Sequence, residues 1–172
     1  MAGSTPIYGF PYPEATDLVA DYPALGQQLA EDVEDALTAK LDSSGIASAT
    51  VGTNQTTTST SYTDLATVGP SVTLTTGTKA LVIISTYIQT AASNRDSYAS
   101  WDVSGASTVA ASDTWAILVW GSNSGVQISA SRAHLITGLT AGSNTFTMKY
   151  RVSVGTGSFS QRTITVLDLG SS

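Results

Sequence analysis

Apolar residues recur at two different spacings, and the change of spacing divides the chain into a helical part and a β part. Between residues 17 and 42 the apolar side chains follow at steps of three and four, the period of an amphipathic helix. From residue 62 onward apolar and polar residues alternate, which is the period of a half-buried strand. The pattern therefore predicts one helix at 17–42 and a β head at 62–172. The helical stripe consists of Leu18, Tyr22, Leu25, Leu29, Val33, Ala36 and Leu37.

Turn residues divide the head into short segments that we predict to be strands. The alternation is clearest near the C-terminus, where Phe146, Met148 and Tyr150 share one face of a strand. Residues 81–84 are apolar on both faces, which predicts a central strand or one covered by a neighbouring subunit. The pattern is typical of an antiparallel β-sandwich of the jelly-roll type. The predicted strands are 62–68, 71–75, 79–89, 98–103, 115–120, 125–137, 143–154 and 159–169.

Residues 1–16 and 43–61 carry neither period. In the first segment three prolines stand among Ile7, Tyr8, Phe10 and Tyr12, so the segment is predicted to be extended. Its apolar side chains either cover the chain's own helix or head, or they dock on another protein, and we expect docking. Residues 43–61 are rich in Ser and Thr and form either a flexible linker or edge strands.

Composition excludes several kinds of site. The chain has no cysteine and a single histidine, so neither a disulfide framework nor a Cys or His cage for zinc can form. We predict no metal and no cofactor. His134 lies on a predicted strand, and neither Ser131 nor Asp113 stands in a nucleophile motif. We therefore predict no catalytic residue and expect the protein not to be an enzyme.

Charge is concentrated at one end of the chain. The net charge of the whole chain is −6. Residues 1–42 contain eight acidic residues and one basic residue, Lys40, so this segment is more negative than the chain as a whole. There is no basic run for a phosphate backbone and no apolar run of about 20 residues, so neither nucleic acid nor a membrane is an expected partner. The N-terminus lacks the pattern of a secretory signal, and we expect assembly in the cytoplasm.

The helical stripe at 17–42 has two ways of being buried. It can pack on its own domain, or it can face copies of itself in a bundle of identical helices. Its acidic opposite face and the absence of a second predicted helix favour the bundle. The steps of 4, 3, 4, 4 and 3 include an eleven-residue span of 3, 4 and 4, which corresponds to about 3.67 residues per turn and suits a nearly straight bundle.

Three tryptophans are the largest side chains of the head. Trp101 is expected in the core. Trp115 and Trp120 differ by an odd number, so on a regular strand they face opposite sides and one is exposed or lies at an interface. Exposed aromatic rings are common platforms for sugars, and Asn94 and Arg95 form a charged loop tip. Trp115, Trp120, Asn94 and Arg95 are therefore candidate ligand contacts.

Two stretches carry a resemblance to known proteins. TPIYGFPYPEATDLV, followed by ALGQQLAEDVEDAL, resembles the N-terminal segment of virion proteins of tailed bacteriophages of the head-fibre, decoration or minor-tail type. GLTAGSNTFTMKYRVSVGTGSFSQRTITVLDL is similar to the end of jelly-roll heads in phage fibres and, more distantly, in tumour-necrosis-factor-like trimers. The resemblance implies a homotrimer in the virion, attached through residues 1–16 to a capsid, portal-proximal or tail protein. The alternative is an adhesion module for a host-surface glycan.

Overall fold

The chain divides into two compact units, Met1–Ser43 and Ser44–Ser172. A computed structural model describes residues 3–6, 9–12, 14, 22–41, 45–90, 95–121 and 126–170. Its secondary structure is mainly strand with one helix, as the sequence pattern predicts.

The N-terminal unit combines a short antiparallel pair with the helix. Strands β1 (Gly3–Ser4) and β2 (Pro11–Tyr12) pair with each other, and the Thr5 amide donates to the Phe10 carbonyl at 2.9 Å. Helix α1 (Tyr22–Leu41) begins one residue before Pro23. Proline is tolerated there because the backbone N–H groups of the first turn form no hydrogen bond within a helix. Strand β2 lies beside α1.

The head is a sandwich of two antiparallel sheets, as predicted. The nine strands that the structure describes in the head are β3 (Ile46–Val51), β4 (Gln55–Thr57), β5 (Ser71–Thr76), β6 (Lys79–Thr90), β7 (Ser97–Gly105), β8 (Ile117–Val119), β9 (Gln127–Thr137), β10 (Gly142–Val152) and β11 (Gly157–Asp168). Sheet 1 has the order β3-β11-β6-β9, with β4 also paired to β11, and sheet 2 has the order β5-β10-β7-β8.

Two strand predictions were wrong. Of the two alternatives for residues 43–61, a linker or edge strands, the structure shows edge strands. Residues 62–68 form no strand, because only Thr63 pairs with β10, through two backbone hydrogen bonds with Tyr150. Residues 113–115 form a 3-10 turn capped by Ser112, so the predicted strand 115–120 shrinks to β8. In the stretch 43–61, β3 and β4 are edge strands beside β11.

The core lies between the two sheets and follows the predicted alternation. Phe146, Met148 and Tyr150 of β10 are fully buried, opposite Ile164 and Val166 of β11. Strand β6 is an inner strand between β11 and β9, as its apolar run predicts. Ala80, Val82 and Ile84 point into the core, while Leu81 and Ile83 lie on the outer face of sheet 1, half-buried.

One charged side chain is part of this core. A β-bulge between Ser160 and Thr163 inserts an extra residue, Gln161, whose φ is 48°. Arg162 is fully buried beside the bulge, where it donates to the Gly69 carbonyl at 3.1 Å and to the Gln55 side chain at 2.8 Å. Its guanidinium also lies 5.3 Å from the ring centre of Tyr150. Arg162 thus connects β11 with β4, with the segment before β5 and with the opposite sheet.

Arg162→Ala should lower the free energy of unfolding of the head by about 3 kcal/mol, because it leaves a cavity and removes two charge-assisted hydrogen bonds. Urea unfolding followed by the fluorescence of buried Trp101 measures this change. Tyr150→Phe is the matched control, since it keeps the guanidinium and the aromatic ring and removes a single hydroxyl group, which donates to Gly69 O at 3.0 Å, and it should cost about 1 kcal/mol. Equal losses in the two variants would contradict the central role of the guanidinium.

Candidate functional site

The apolar stripe of α1 is largely uncovered in the described part of the N-terminal unit. Four of its members are exposed, namely Tyr22, Leu29, Val33 and Leu37. Leu25 and Ala36 are half-buried, and Leu18 lies outside the described residues. Elsewhere on the helix, Gln27 donates to Glu31 at 2.8 Å and Gln28 to Asp32 at 3.0 Å, one turn apart. The described part of the N-terminal unit therefore does not fully cover the apolar surface of the helix.

The predicted docking residues of the N-terminal arm differ in exposure. Tyr12 on β2 is exposed, whereas Phe10 is half-buried and its amide donates to Thr5 Oγ1 at 2.9 Å. Ile7 and Tyr8 lie outside the described residues. Because β2 lies beside α1, part of the arm contacts the chain's own helix. The exposed ring of Tyr12 is the part of the described arm best placed to meet another protein.

One of the two candidate tryptophans is exposed and the other is packed, although Trp115 does not lie on the strand that the parity argument assumed. Trp115 belongs to the 3-10 turn, and its Nε1 donates to the Trp101 carbonyl at 3.2 Å. Its ring centre lies 5.3 Å from that of buried Trp101 and 5.2 Å from that of His134. Trp115 is therefore half-buried in an aromatic cluster, while Trp120 is 71% exposed. Trp120 stays a candidate contact, and Trp115 is engaged in packing.

Trp120 and Arg95 occupy neighbouring loops at one end of the head. The amide of Gly121 donates to Asp96 Oδ1 at 3.4 Å, which connects the two loops. Asn94 lies outside the described residues. The first strand of the head begins at the opposite end, since Ile46 pairs with Leu167 and Leu167 with Leu81, whereas Gln89 pairs near the start of β11. At a rise of about 3.4 Å per residue, the Leu81 and Gln89 rows lie roughly 27 Å apart.

Ser131 and Asp113 do not form a catalytic triad with His134. Ser131 Oγ donates to the Ile84 carbonyl at 3.0 Å, and Asp113 binds Arg151 and Tyr62. His134 instead packs against Trp101 and Trp115. Among the described residues no group of three or more His, Cys, Asp or Glu side chains is arranged to hold a metal ion. No helix within the described ranges has the length and apolar character needed to cross a membrane.

A pocket on the outer face of sheet 2 collects charged groups that sequence reasoning did not select. Its floor carries Asp102 of β7 and Lys149 of β10, and its volume is about 360 Å³. Lys149 Nζ donates to both oxygens of Asp64, at 2.8 and 2.9 Å, and lies 3.5 Å from Asp102 Oδ2. Tyr62 and Thr63 form one wall with Asp64, and Ala110 and Ala111 form the other.

Arg151 connects the two walls through a group of four side chains. We call this group, Tyr62, Tyr98, Asp113 and Arg151, the Arg151 bridge. Tyr62 Oη donates to Asp113 Oδ1 at 2.7 Å, and Arg151 Nε donates to the same oxygen at 3.0 Å. The guanidinium carbon lies 3.6 Å from the ring centre of Tyr98 and 5.4 Å from that of Tyr62. These contacts fix the segment before β5 to the segment after β7, and so hold the pocket open between them.

The environment shifts the pKa of several groups around the pocket. Burial raises the pKa of Asp102 above its usual value, although the charge of Lys149 partly offsets this effect. Burial of Lys149 disfavours its charge, but the hydrogen bonds to Asp64 and the charge of Asp102 outweigh burial and raise its pKa. The hydrogen bond from Arg151 lowers the pKa of Asp113. Lys149 is consequently held in its charged form against two carboxyl groups.

The outer face of sheet 1 differs sharply from this charged surface. We define the charge-poor face as the outward side chains of β3, β11, β6 and β9, among which Lys79 is the one charged residue that the structure describes. At one end of it lies an apolar row that crosses all four strands in register: Ile46, Leu167, Leu81 and Leu135. Ile46 and Leu135, at the two ends of this row, are each about half exposed, at 54% and 51%. Core regions of interfaces are depleted of charge in this way.

Comparisons with solved structures relate the fold of this chain to that of a viral protein. No family model matches the sequence, and neither does any curated protein. The structure of the VP2 subviral particle of infectious bursal disease virus is similar, with a TM-score of 0.52, 12% identity, and coverage of 72% of this chain and 32% of that one. T=1 particles of a mutant VP2 of the same virus give a TM-score of 0.52 at 11% identity, with 72% and 31% covered. Eiger TNF from S. frugiperda gives 0.47 at 14% identity, with 74% and 93% covered.

These likenesses establish the fold. At 11–12% identity the two VP2 structures show that the head shares the sandwich architecture, and the chain spans about a third of the length of each. Together with the two sheets described above, they define the head as a jelly-roll-like β-sandwich that shares its architecture with part of VP2.

Acid should weaken the Arg151 bridge. Because Arg151 lowers the pKa of Asp113, the ion pair adds stability above the ordinary carboxyl pKa of about 3.9 and loses it as the pH falls through the lower folded value. Asp113→Asn should therefore cost less than about 1 kcal/mol at pH 7, as expected for a largely exposed pair. Urea unfolding at several pH values should show this difference closing below about pH 4. A difference that stays constant to about pH 3 would contradict the assignment.

Proposed function

We propose that the protein is a non-enzymatic structural protein of a tailed-bacteriophage virion, a fibre or decoration protein. It attaches to another virion protein through its N-terminal arm and displays a trimeric β head. The observation that carries this proposal is the division into two units, in which an arm and an amphipathic helix precede a jelly-roll-like sandwich. The resemblance of residues 5–19 and of the helix to phage virion proteins supports the same assignment.

The geometry of the head suits attachment at one end and display at the other. The chain reaches the sandwich at Ile46, and the loops that carry Arg95 and Trp120 lie at the far end of the strands. A head mounted by its N-terminal unit would therefore direct these loops away from the point where the chain joins it. Position on the particle, whether capsid lattice, vertex, collar or tail, is left open by this proposal.

Two apolar surfaces support a homotrimer. The exposed stripe of α1 has the form of a helix that faces copies of itself. The charge-poor face offers the head a second contact, because its apolar row and its small Ser, Thr and Ala side chains can be buried without desolvating ions. A symmetric trimer would bury both surfaces in every copy.

Deleting residues 1–16 should abolish incorporation into virions while the head stays folded, because the arm supplies the docking contact. Quantitative mass spectrometry of purified particles measures copy number, and near-ultraviolet circular dichroism reports on the head. Tyr12→Ser should reduce incorporation, whereas Trp120→Ser, also at an exposed aromatic, should leave it unchanged. Full occupancy by the deleted chain would contradict docking through the arm.

Light scattering on the purified chain should give the mass of three copies. Leu135→Glu should shift this mass toward one copy by placing a charge within the apolar row, while Thr73→Glu, exposed on the other sheet, should not. On the helix, Leu29→Glu should have the same effect, and Ala30→Glu, one residue further round the helix, a smaller one. A single-chain mass for the wild type at micromolar concentration would contradict the trimer.

A second candidate function is adhesion to a host-surface glycan. The specific observation in its favour is the far end of the head, where Trp120 is 71% exposed beside the loop of Arg95. Virions that carry Trp120→Ser should then bind host cells more weakly at unchanged copy number. Unchanged binding would remove this surface from consideration and favour a purely structural head.

A further inference from the structure

We propose that the pocket bounded by Tyr62, Asp64, Asp102 and Lys149 binds a single neutral sugar residue. The proposal rests on adhesion, the second candidate function, and adds a site for it. This site is separate from the exposed tryptophan, because it is formed by the outer face of sheet 2 and the two segments that cross it.

The size of the pocket suits a small ligand. Its volume of about 360 Å³ falls at the lower end of the range of roughly 300–1,000 Å³ that is usual for small-molecule sites. Ala110 and Ala111 contribute little more than a methyl group each to one wall, so the space between that wall and Lys149 is left open. One sugar ring is the scale of ligand that such a space accommodates.

The polar groups of the pocket match adjacent hydroxyl groups. A carboxylate offers about four lone-pair positions and can accept from two neighbouring hydroxyls, while an ammonium can donate to a hydroxyl or ring oxygen. Asp64 and Asp102 supply acceptors, because Lys149 occupies only some of the lone-pair positions of the two carboxylates. The hydroxyl groups of a neutral polyol can donate to the remaining positions.

Charge balance disfavours ionic ligands. Two carboxylates and one ammonium leave the cluster with an excess negative charge, which repels anions such as phosphate or uronate. A cationic ligand would have to compete with Lys149, whose Nζ already lies within 3.5 Å of both carboxylates. A neutral ligand can donate its hydroxyl hydrogens to both carboxylates while the contacts of Lys149 stay in place.

The walls are also held in place before a ligand arrives. Tyr62 is fixed to Asp113 by its hydroxyl group, and Arg151 packs on the rings of Tyr62 and Tyr98 while binding the same Asp113. Thr63 is anchored to β10 by backbone hydrogen bonds in both directions with Tyr150. A pocket fixed in this way loses little conformational entropy when a ligand binds.

The test is a titration of the full-length, ¹⁵N-labelled chain, followed by amide chemical shifts. Three probes are neutral, namely methyl mannopyranoside, methyl glucopyranoside and N-acetylglucosamine, and two are charged, namely putrescine and glucuronate. We expect at least one neutral probe to give saturable shifts at residues 62–64, 102 and 149, with a dissociation constant on the order of 1 mM. Ala110→Leu, which fills the pocket from an exposed wall position, should weaken this binding at least about tenfold. Ala106→Leu, exposed and outside the pocket, is the matched control and should bind as the wild type does.

Three outcomes would overturn the proposal. They are saturation by none of the three sugars, saturation only by the charged probes putrescine or glucuronate, and equal binding by the Ala110→Leu variant. Binding of whole virions to host cells is measured separately, so the two failures can be told apart. Sugar binding at the pocket without cell binding contradicts adhesion alone, and cell binding without sugar binding contradicts the pocket alone.

Discussion

The head depends on a buried positive charge, Arg162, whose described contacts include no carboxylate. Arg162 is fully enclosed, and its described hydrogen bonds go to the Gly69 carbonyl and the Gln55 side chain. Burying an unpaired charge is costly, and here neutral oxygens and the face of the Tyr150 ring offset that cost. The consequence is a strict requirement on geometry, since the edge strand β4, the segment before β5 and the bulge of β11 must all be in place to form the two described hydrogen bonds of this one side chain. That requirement couples parts of the chain which lie far apart in sequence.

The two outer faces of the sandwich follow opposite chemical rules. Sheet 2 carries paired charges, aromatic rings and a pocket, held by the Arg151 bridge and by Lys149 between two carboxyl groups. Sheet 1 carries hydroxyl groups and aliphatic side chains, with Ser48 bonded to Thr165 and Thr50 to Thr163 across neighbouring strands. One face is therefore suited to selective contact with a small polar ligand. The other is suited to contact with a second protein surface, of which copies of the same chain are the simplest source.

Sequence patterning predicted the fold class and most of the strands, because alternation reports directly which side chains a sheet buries. It left residues 43–61 as either a linker or edge strands, since Ser, Thr and Ala on an edge strand give weak contrast between faces. It also misplaced Trp115, because counting along a strand assumes that the strand is regular there, and a 3-10 turn breaks the count. The pocket was invisible for another reason. Tyr62, Asp102 and Lys149 are far apart in the chain, and no spacing rule connects them before the sheet register is known. A weak signal existed in Lys149 and Arg151, two cations on the outward face of one strand.

The composition of the charge-poor face has a consequence for salt. Dissolved ions weaken contacts between exposed charges over a Debye length of about 8–10 Å near physiological ionic strength, but they leave the burial of apolar area intact or strengthen it. An association that uses the row from Ile46 to Leu135 would therefore persist in concentrated salt. The ion pairs on the opposite sheet would weaken under the same conditions. The two sides of the sandwich therefore differ in how salt would act on the contacts that each is suited to make.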